Sequence, residues 1–239
     1  MPEITESFVA RLYDKYADAL LVARKEQQEL RSSLPHLKAQ LDDIEAEITY
    51  LLLREFRPSS VVEIGALHGW STTWILRALR DSGRGHLHTY DRVDHAVRNV
   101  PPELSAGRWT FVHGNVRGQV DRLPYDIGYL FIDAAHSGRF ARWYLDRLLP
   151  RIAPETPVGV HDVFHGRRPW PFSEGAVLLK RLADRGMPFF TAARAKAPDV
   201  QARLDGHRVR LGLVEPIGTR TANPMVFFRA GQVRPPAPR

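Results

Sequence analysis

Apolar residues recur at Phe8, Leu12, Tyr16 and Leu20, every fourth position, which marks one face of a helix. A second series, Leu34, Leu37, Leu41, Ile44, Ile48 and Leu51, steps by three and four. It predicts a second helix starting near Ser33 as N-cap, with Pro35 tolerated in the first turn. Such a heptad-like seam packs either on the chain's own core or against a second copy. Two helices ahead of the first strand favour a dimer. From Val61 the pattern changes. Short strand-like runs at 61–64, 86–90, 109–112, 127–132 and 157–160 alternate with helical patterns at 71–81, 94–99, 117–122 and 138–149. That alternation predicts an α/β domain of mostly parallel strands joined by right-handed crossovers. A further helix is expected over 173–185, and apolar runs at 187–192, 208–214 and 225–229 supply the last strands. The chain therefore divides into a helical extension (1–57), an α/β domain (58–230) and a Pro-rich tail (231–239) expected to be disordered.

Composition narrows the function classes. Of the 239 residues 44% are hydrophobic, enough for a substantial core. There is no cysteine, which excludes disulfides, thiolate metal sites and cysteine nucleophiles. No segment approaches a membrane span, and the N-terminus lacks the apolar stretch of a signal peptide, so no membrane partner and a cytoplasmic location are expected. The formal charge is +7, but the basic residues are scattered and only Lys15, Lys25, Lys38, Lys180 and Lys196 are lysines. Without a compact basic run interleaved with aromatics, nucleic acid is not an expected partner.

The candidate chemistry gathers at the strand ends. Val61-Val62-Glu63-Ile64-Gly65 runs into Gly69 and then Ser71-Thr72, a strand, a tight turn and a helix start of the kind that brings a nucleotide-like ligand against backbone. Gly65 and Gly69 are expected to remove Cβ atoms where that ligand approaches. Their G-x-x-x-G spacing differs from the G-x-G-x-x-G of pyrophosphate cradles. Asp91 ends the second strand, where a carboxylate accepts hydrogen bonds from a ribose diol. Asn115, after the third, meets either an adenine edge or nearby backbone. The fourth strand ends in Asp133-Ala134-Ala135-His136 and the fifth in His161-Asp162. Asp133, His161 and Asp162 form a candidate divalent-cation site, with His136 left as a base. The plainer alternative is that the aspartates cap helices and the histidines pack at strand ends. Beyond them His165, Arg167, Arg168, Trp170 and Phe172 sit in a Pro-containing loop that is either a lid with an aromatic wall or a segment stapled to the core.

The set E-I-G-x-x-x-G-x-S-T, Tyr90-Asp91, D-x-x-H-S and the pair after the fifth strand resembles the metal-dependent class I S-adenosylmethionine O-methyltransferases, in the branch of the macrocin and mycinamicin sugar O-methyltransferases. The resemblance covers about 55–165. It implies a Rossmann-like seven-stranded, mostly parallel sheet with helices on both faces and S-adenosylmethionine as cofactor. Glu63, Gly65 and Gly69 would hold the methionine part, with Ser71 nearby, and Asp91 the ribose. Asp133 and the pair His161-Asp162 would bind magnesium, and His136 would be the general base. The implied function is methyl transfer to a hydroxyl of a small molecule, a natural-product sugar or a polyphenol. The alternatives are a nitrogen, carbon or macromolecular acceptor without metal, or a non-catalytic S-adenosylmethionine-binding protein. The family usually has Glu where His161 stands. Imidazole suits iron or manganese better than magnesium, so either a transition metal is preferred or His161 does not ligate.

Overall fold

The computed structural model describes residues 2–218 and 222–231. Seven strands, β1 (Ser60–Ile64), β2 (His86–Asp91), β3 (Trp109–His113), β4 (Ile127–Ile132), β5 (Pro157–Val160), β6 (Phe189–Phe190) and β7 (Val226–Arg229), form one sheet. Its order is β3-β2-β1-β4-β5-β7-β6. The first five strands are parallel, and β7 runs antiparallel to both β5 and β6. Both faces are covered, so β1 is buried throughout, its polar Ser60 and Glu63 included. Along β4, Tyr129 and Phe131 enter the core on one face of the sheet, Leu130 and Ile132 that on the other. The chain moves outward from β1 to β3, then returns to the far side of β1 as β4. The ends of β1 and β4 therefore open a crevice at the point where strand order reverses.

The expected strands over 61–160 and the helix over 71–81 are present, the latter as α4 (Trp70–Ser82), which follows α1 (Glu6–Lys15), α2 (Ala17–Ser33) and α3 (Asp43–Phe56). Four expectations are corrected. Ser33 ends α2 and does not start a helix. Pro35 excludes the preceding Leu34 from helical backbone, and Leu34 sits at φ −124°, ψ 76°. The next helix, α3, starts at Asp42, in a capping box with Glu45. Second, the seam is not free for another copy. Leu37, Leu41, Ile44, Ile48 and Leu51 are buried in the chain's own core, so a dimer needs a different surface. Third, 117–122 forms two short 3-10 turns. Fourth, 208–214 is no strand. After β2 come α5 (His95–Asn99), α6 (Pro102–Ser105), α7 (Gly138–Trp143) and α8 (Glu174–Asp184), and then α9 (Pro198–Arg210), which takes up the start of that run. Pro198 is well placed at the start of α9, where a helix needs no N–H. The expected disordered tail lies, from residue 232 on, outside the described residues.

Glu47 on α3 is fully buried, which a lone carboxylate would not tolerate. It accepts from Tyr13 Oη of α1 at 2.8 Å and Arg208 Nε of α9 at 2.8 Å, and from Arg24 of α2. One acid thus ties α1, α2 and α3 to α9, and these helices roof the sheet. Glu47→Ala removes the buried acid that Arg24 and Arg208 share, leaving them the more distant Asp43, with Asp205 still on Arg208, and should cost about 3 kcal/mol of folding free energy. Urea denaturation measures this, and a loss below about 1 kcal/mol, the scale of an exposed pair, would contradict it.

Candidate active site

The crevice is a cleft of about 500 Å³. Its lining includes Gly65, Ser71, Asp91, Asn115, Asp133 and His136 of the expected residues, while Glu63, Gly69, His161 and Asp162 stand outside it.

The two glycines are required by the packing of the chain itself. Gly65 has φ 89°, and a Cβ there would lie 1.8 Å from the Asp133 carbonyl oxygen. The ends of β1 and β4 touch backbone to backbone, locked by Asp133 N–H donating to Ile64 O at 2.8 Å. Gly69, also at φ 89°, caps α4, and its Cβ would press on Val100 Cγ2 at 3.1 Å and Ala96 Cβ at 3.2 Å. Glu63 likewise organises the turn from below. Ser71 Oγ donates to it at 2.5 Å, Thr72 Oγ1 at 2.8 Å and Thr89 Oγ1 at 2.7 Å. Asp91 takes Ala66 N–H and Leu67 N–H on one oxygen, at 2.7 and 2.8 Å, and Val93 N–H on the other at 3.1 Å. It pins the turn to the tip of β2. Asn115 accepts from Arg117 N–H at 3.1 Å and shapes the turn after β3. The plain loop role foreseen for Asn115 is present, on the cleft wall.

At the ends of β4 and β5, one donor atom each from Asp133, His136 and Asp162 falls within 4.8 Å of the others. His136 Nε2 lies 3.5 Å from Asp133 Oδ1 and 3.4 Å from Asp162 Oδ2. His136 and Asp162 hold left-handed backbone, φ 43° and 56°. In non-glycine residues that costs on the order of 1 kcal/mol or more each and clusters at functional sites. Burial pushes the Asp162 carboxyl up, but His161, His136 and His165 outweigh it and hold it at about 2. Asp162 Oδ1 is buried and makes no hydrogen bond among the described residues, though His161 Nδ1 and His165 Nε2 face it at 3.3 and 3.5 Å. A cation bound there would meet that charge, and the facing carboxylates of Asp133 and Asp162 make a suitable oxygen donor set, with the His136 ring beside them.

His161 lies deep in the protein beside the two aspartates. It is only 2% exposed, with Nδ1 hydrogen-bonded to Asp133 Oδ1 at 3.2 Å and Nε2 facing Glu45 Oε2 at 3.3 Å. Nδ1 also lies 3.3 Å from Asp162 Oδ1, so His161 from the buried side and His136 from the cleft side both stand beside the two aspartates. Sequence reasoning missed Glu45 and Glu174. Glu174 is buried, and its Oε2 lies 3.4 Å from His136 Nδ1. Both resemble ordinary helix-start acids in sequence, following Asp42 and Ser173, and nothing local shows that they reach a strand end. The loop after β5 is strapped beside the cluster, with Gly138 N–H donating to Phe172 O at 3.0 Å and Glu174 N–H to His136 O at 3.2 Å. Trp170 and Phe172 are 70% and 90% exposed, so these side chains are not stapled to the core.

This sheet order, with β7 reversed, is the methyltransferase fold, and comparison with known proteins agrees. Residues 62–163 match a family described as a methyltransferase domain. Three solved structures share the fold. The O-methyltransferase TomG of Streptomyces achromogenes, involved in tomaymycin synthesis and in complex with S-adenosylmethionine, is 18% identical, with TM-score 0.52 over 87% of this chain and 89% of its own. An O-methyltransferase of Bacillus cereus in complex with S-adenosylhomocysteine is 18% identical, with TM-score 0.53 over 95% of this chain and 100% of its own. A methyltransferase of Geobacter sulfurreducens is 17% identical, with TM-score 0.55 over 97% and 98%. No curated protein matches the sequence. No helix among the described residues is long and apolar enough to cross a membrane.

Burial raises the Glu63 carboxyl to about 7 from its ordinary 4.5, against the three hydroxyls that favour its charge. A raised acid stabilises the fold fully below its unfolded value and loses that contribution as pH rises through the folded one. Between pH 5 and 8 the wild type should therefore lose on the order of 3 kcal/mol relative to Glu63→Gln. Paired urea titrations at the two pH values test this, and a pH-independent difference would contradict it.

Proposed function

We propose that this protein is an S-adenosylmethionine-dependent methyltransferase acting on a hydroxyl of a small molecule, a natural-product sugar or a polyphenol, with help from a divalent cation. The observation that carries the reading is the convergence of Asp133, His136 and Asp162 at the rim of the crevice between β1 and β4. The methyltransferase-domain match over 62–163 and the fold shared with O-methyltransferases support it.

S-Adenosylmethionine, once bound, supplies an electrophilic methyl group, and a divalent cation supplies a Lewis acid for neighbouring acceptor oxygens. The chain does the rest. Gly65, Asp91 and Asn115 line the part of the cleft assigned to the cofactor. Asp133 and Asp162 would hold the cation. His136 takes the proton of the acceptor hydroxyl on Nε2, because Glu174 faces Nδ1 and keeps a proton there, the arrangement of a base with its orienting acid. Burial would lower the His136 pKa, but Glu174, Asp133 and Asp162 together raise it, which strengthens the ring as a base. The 163–175 loop, with Trp170 and Phe172 projecting into solvent, is the candidate lid over the acceptor.

The test is calorimetric titration of S-adenosylmethionine into chelator-stripped protein, followed by Mg, Mn or Fe(II) with vicinal diols and catechols. Cofactor binding with turnover only after metal addition is expected. Turnover indifferent to metal would move the acceptor to another class, and absence of cofactor binding would end the reading. His136→Ala should lower kcat by about 10²–10⁴ while leaving cofactor and Mn(II) affinity near wild type. A matching fall in Mn(II) affinity would instead make His136 a ligand. Asp133→Ala should remove metal-dependent turnover altogether.

A further inference from the structure

The helical extension reaches the cluster through one buried contact. Glu45, on the first turn of α3, is 1% exposed. Its carboxylate is held on both oxygens by backbone, Oε1 by Met225 N–H at 2.8 Å and Oε2 by Asp42 N–H at 3.2 Å. No lysine or arginine pairs with it among the described residues. Oε2 instead faces His161 Nε2 at 3.3 Å, and the other nitrogen of that ring lies 3.2 Å from Asp133 Oδ1 and 3.3 Å from Asp162 Oδ1. The ring is therefore gripped between a carboxylate fixed to backbone and the two carboxylates at the rim.

We propose that Glu45 is a positioning residue for the cation site: through His161 it sets Asp133 and Asp162 in the spacing that binds the ion. This rests on the reading of those two aspartates as cation ligands. A ring with both nitrogens facing carboxylates serves as a spacer between them. Groups that orient metal ligands from behind commonly change metal affinity by 10–100-fold when removed. A capping-box acid with no further role would change helix stability and leave the ion unaffected.

The experiment is Mn(II) titration of the full chain, followed by calorimetry and by the electron paramagnetic resonance of the free ion. Wild type, Glu45→Ala, His161→Asn and the double variant are compared, with S-adenosylmethionine affinity measured in parallel. The asparagine can still donate to Asp133 but is too short to reach Glu45. Glu45→Ala should weaken Mn(II) at least about tenfold and change cofactor affinity less than twofold. In the His161→Asn background the same substitution should cost less than twofold, since its effect runs through the ring. Equal losses in both backgrounds, or an unchanged Mn(II) affinity in Glu45→Ala, would overturn the proposal and leave the cation site standing. A wild type that binds no Mn(II) would overturn both. Glu45→Gln keeps an acceptor for the backbone and carries the same comparison should the alanine variant fail to unfold cooperatively.

Discussion

Two parallel strands leave the sheet side by side at Gly65 and Asp133, with room for no side chain between them. The Asp133 amide donates to Ile64 O, and the carbonyl of the same residue occupies the space where a Cβ of residue 65 would be. That contact fixes the direction in which the chain after β1 turns toward α4 and the direction in which β4 delivers Asp133 to the rim. The crevice, the glycine turn and the acidic cluster all follow from it. A methyl at residue 65 would push apart the two strand ends that make the site.

Around this junction the protein uses buried carboxylates as fixed points. Glu63 gathers three hydroxyls below the turn, Glu47 ties four helices into a roof, and Glu174 and Glu45 each face a histidine at the rim. Burying these acids is costly unless their oxygens are met, and Glu174 Oε1 is left without a hydrogen-bond partner among the described residues. Where they are met, the neighbours have little freedom left, which suits a site whose donors need sub-ångström placement. The left-handed backbone at His136 and Asp162 fits the same picture, since strained residues persist where surroundings over-determine them.

Much of the architecture was legible in the pattern of residues. The strands from Val61 to Val160 and the helix after Gly69 follow from local periodicity and turn chemistry, which act over a few residues. The misjudged parts depended on distant partners. Leu37 and Leu41 belong to an irregular link because Pro35 breaks the helix, yet they remain buried because the sheet and its helices stand beneath them. The run 208–214 looked apolar enough for a strand, but Arg208 in it is held by Glu47, across 161 positions of sequence.

The site divides in the same way. The sequence by itself determined which strand ends carry the acids and histidines, because a strand's end and the residue after it are local properties. It also determined that Asp133, His136 and Asp162 stand close together, given that β4 and β5 are neighbours. Only the tertiary structure decided what each side chain does there. It set the His161 ring between Glu45 and the two aspartates, brought Glu174 to His136, and made Gly65 a strand contact as well as part of the cleft lining. Those assignments rest on the docking of α3 and α8 against strand ends far away in the chain. A docking geometry is set by the packing of whole faces, and no single motif encodes it.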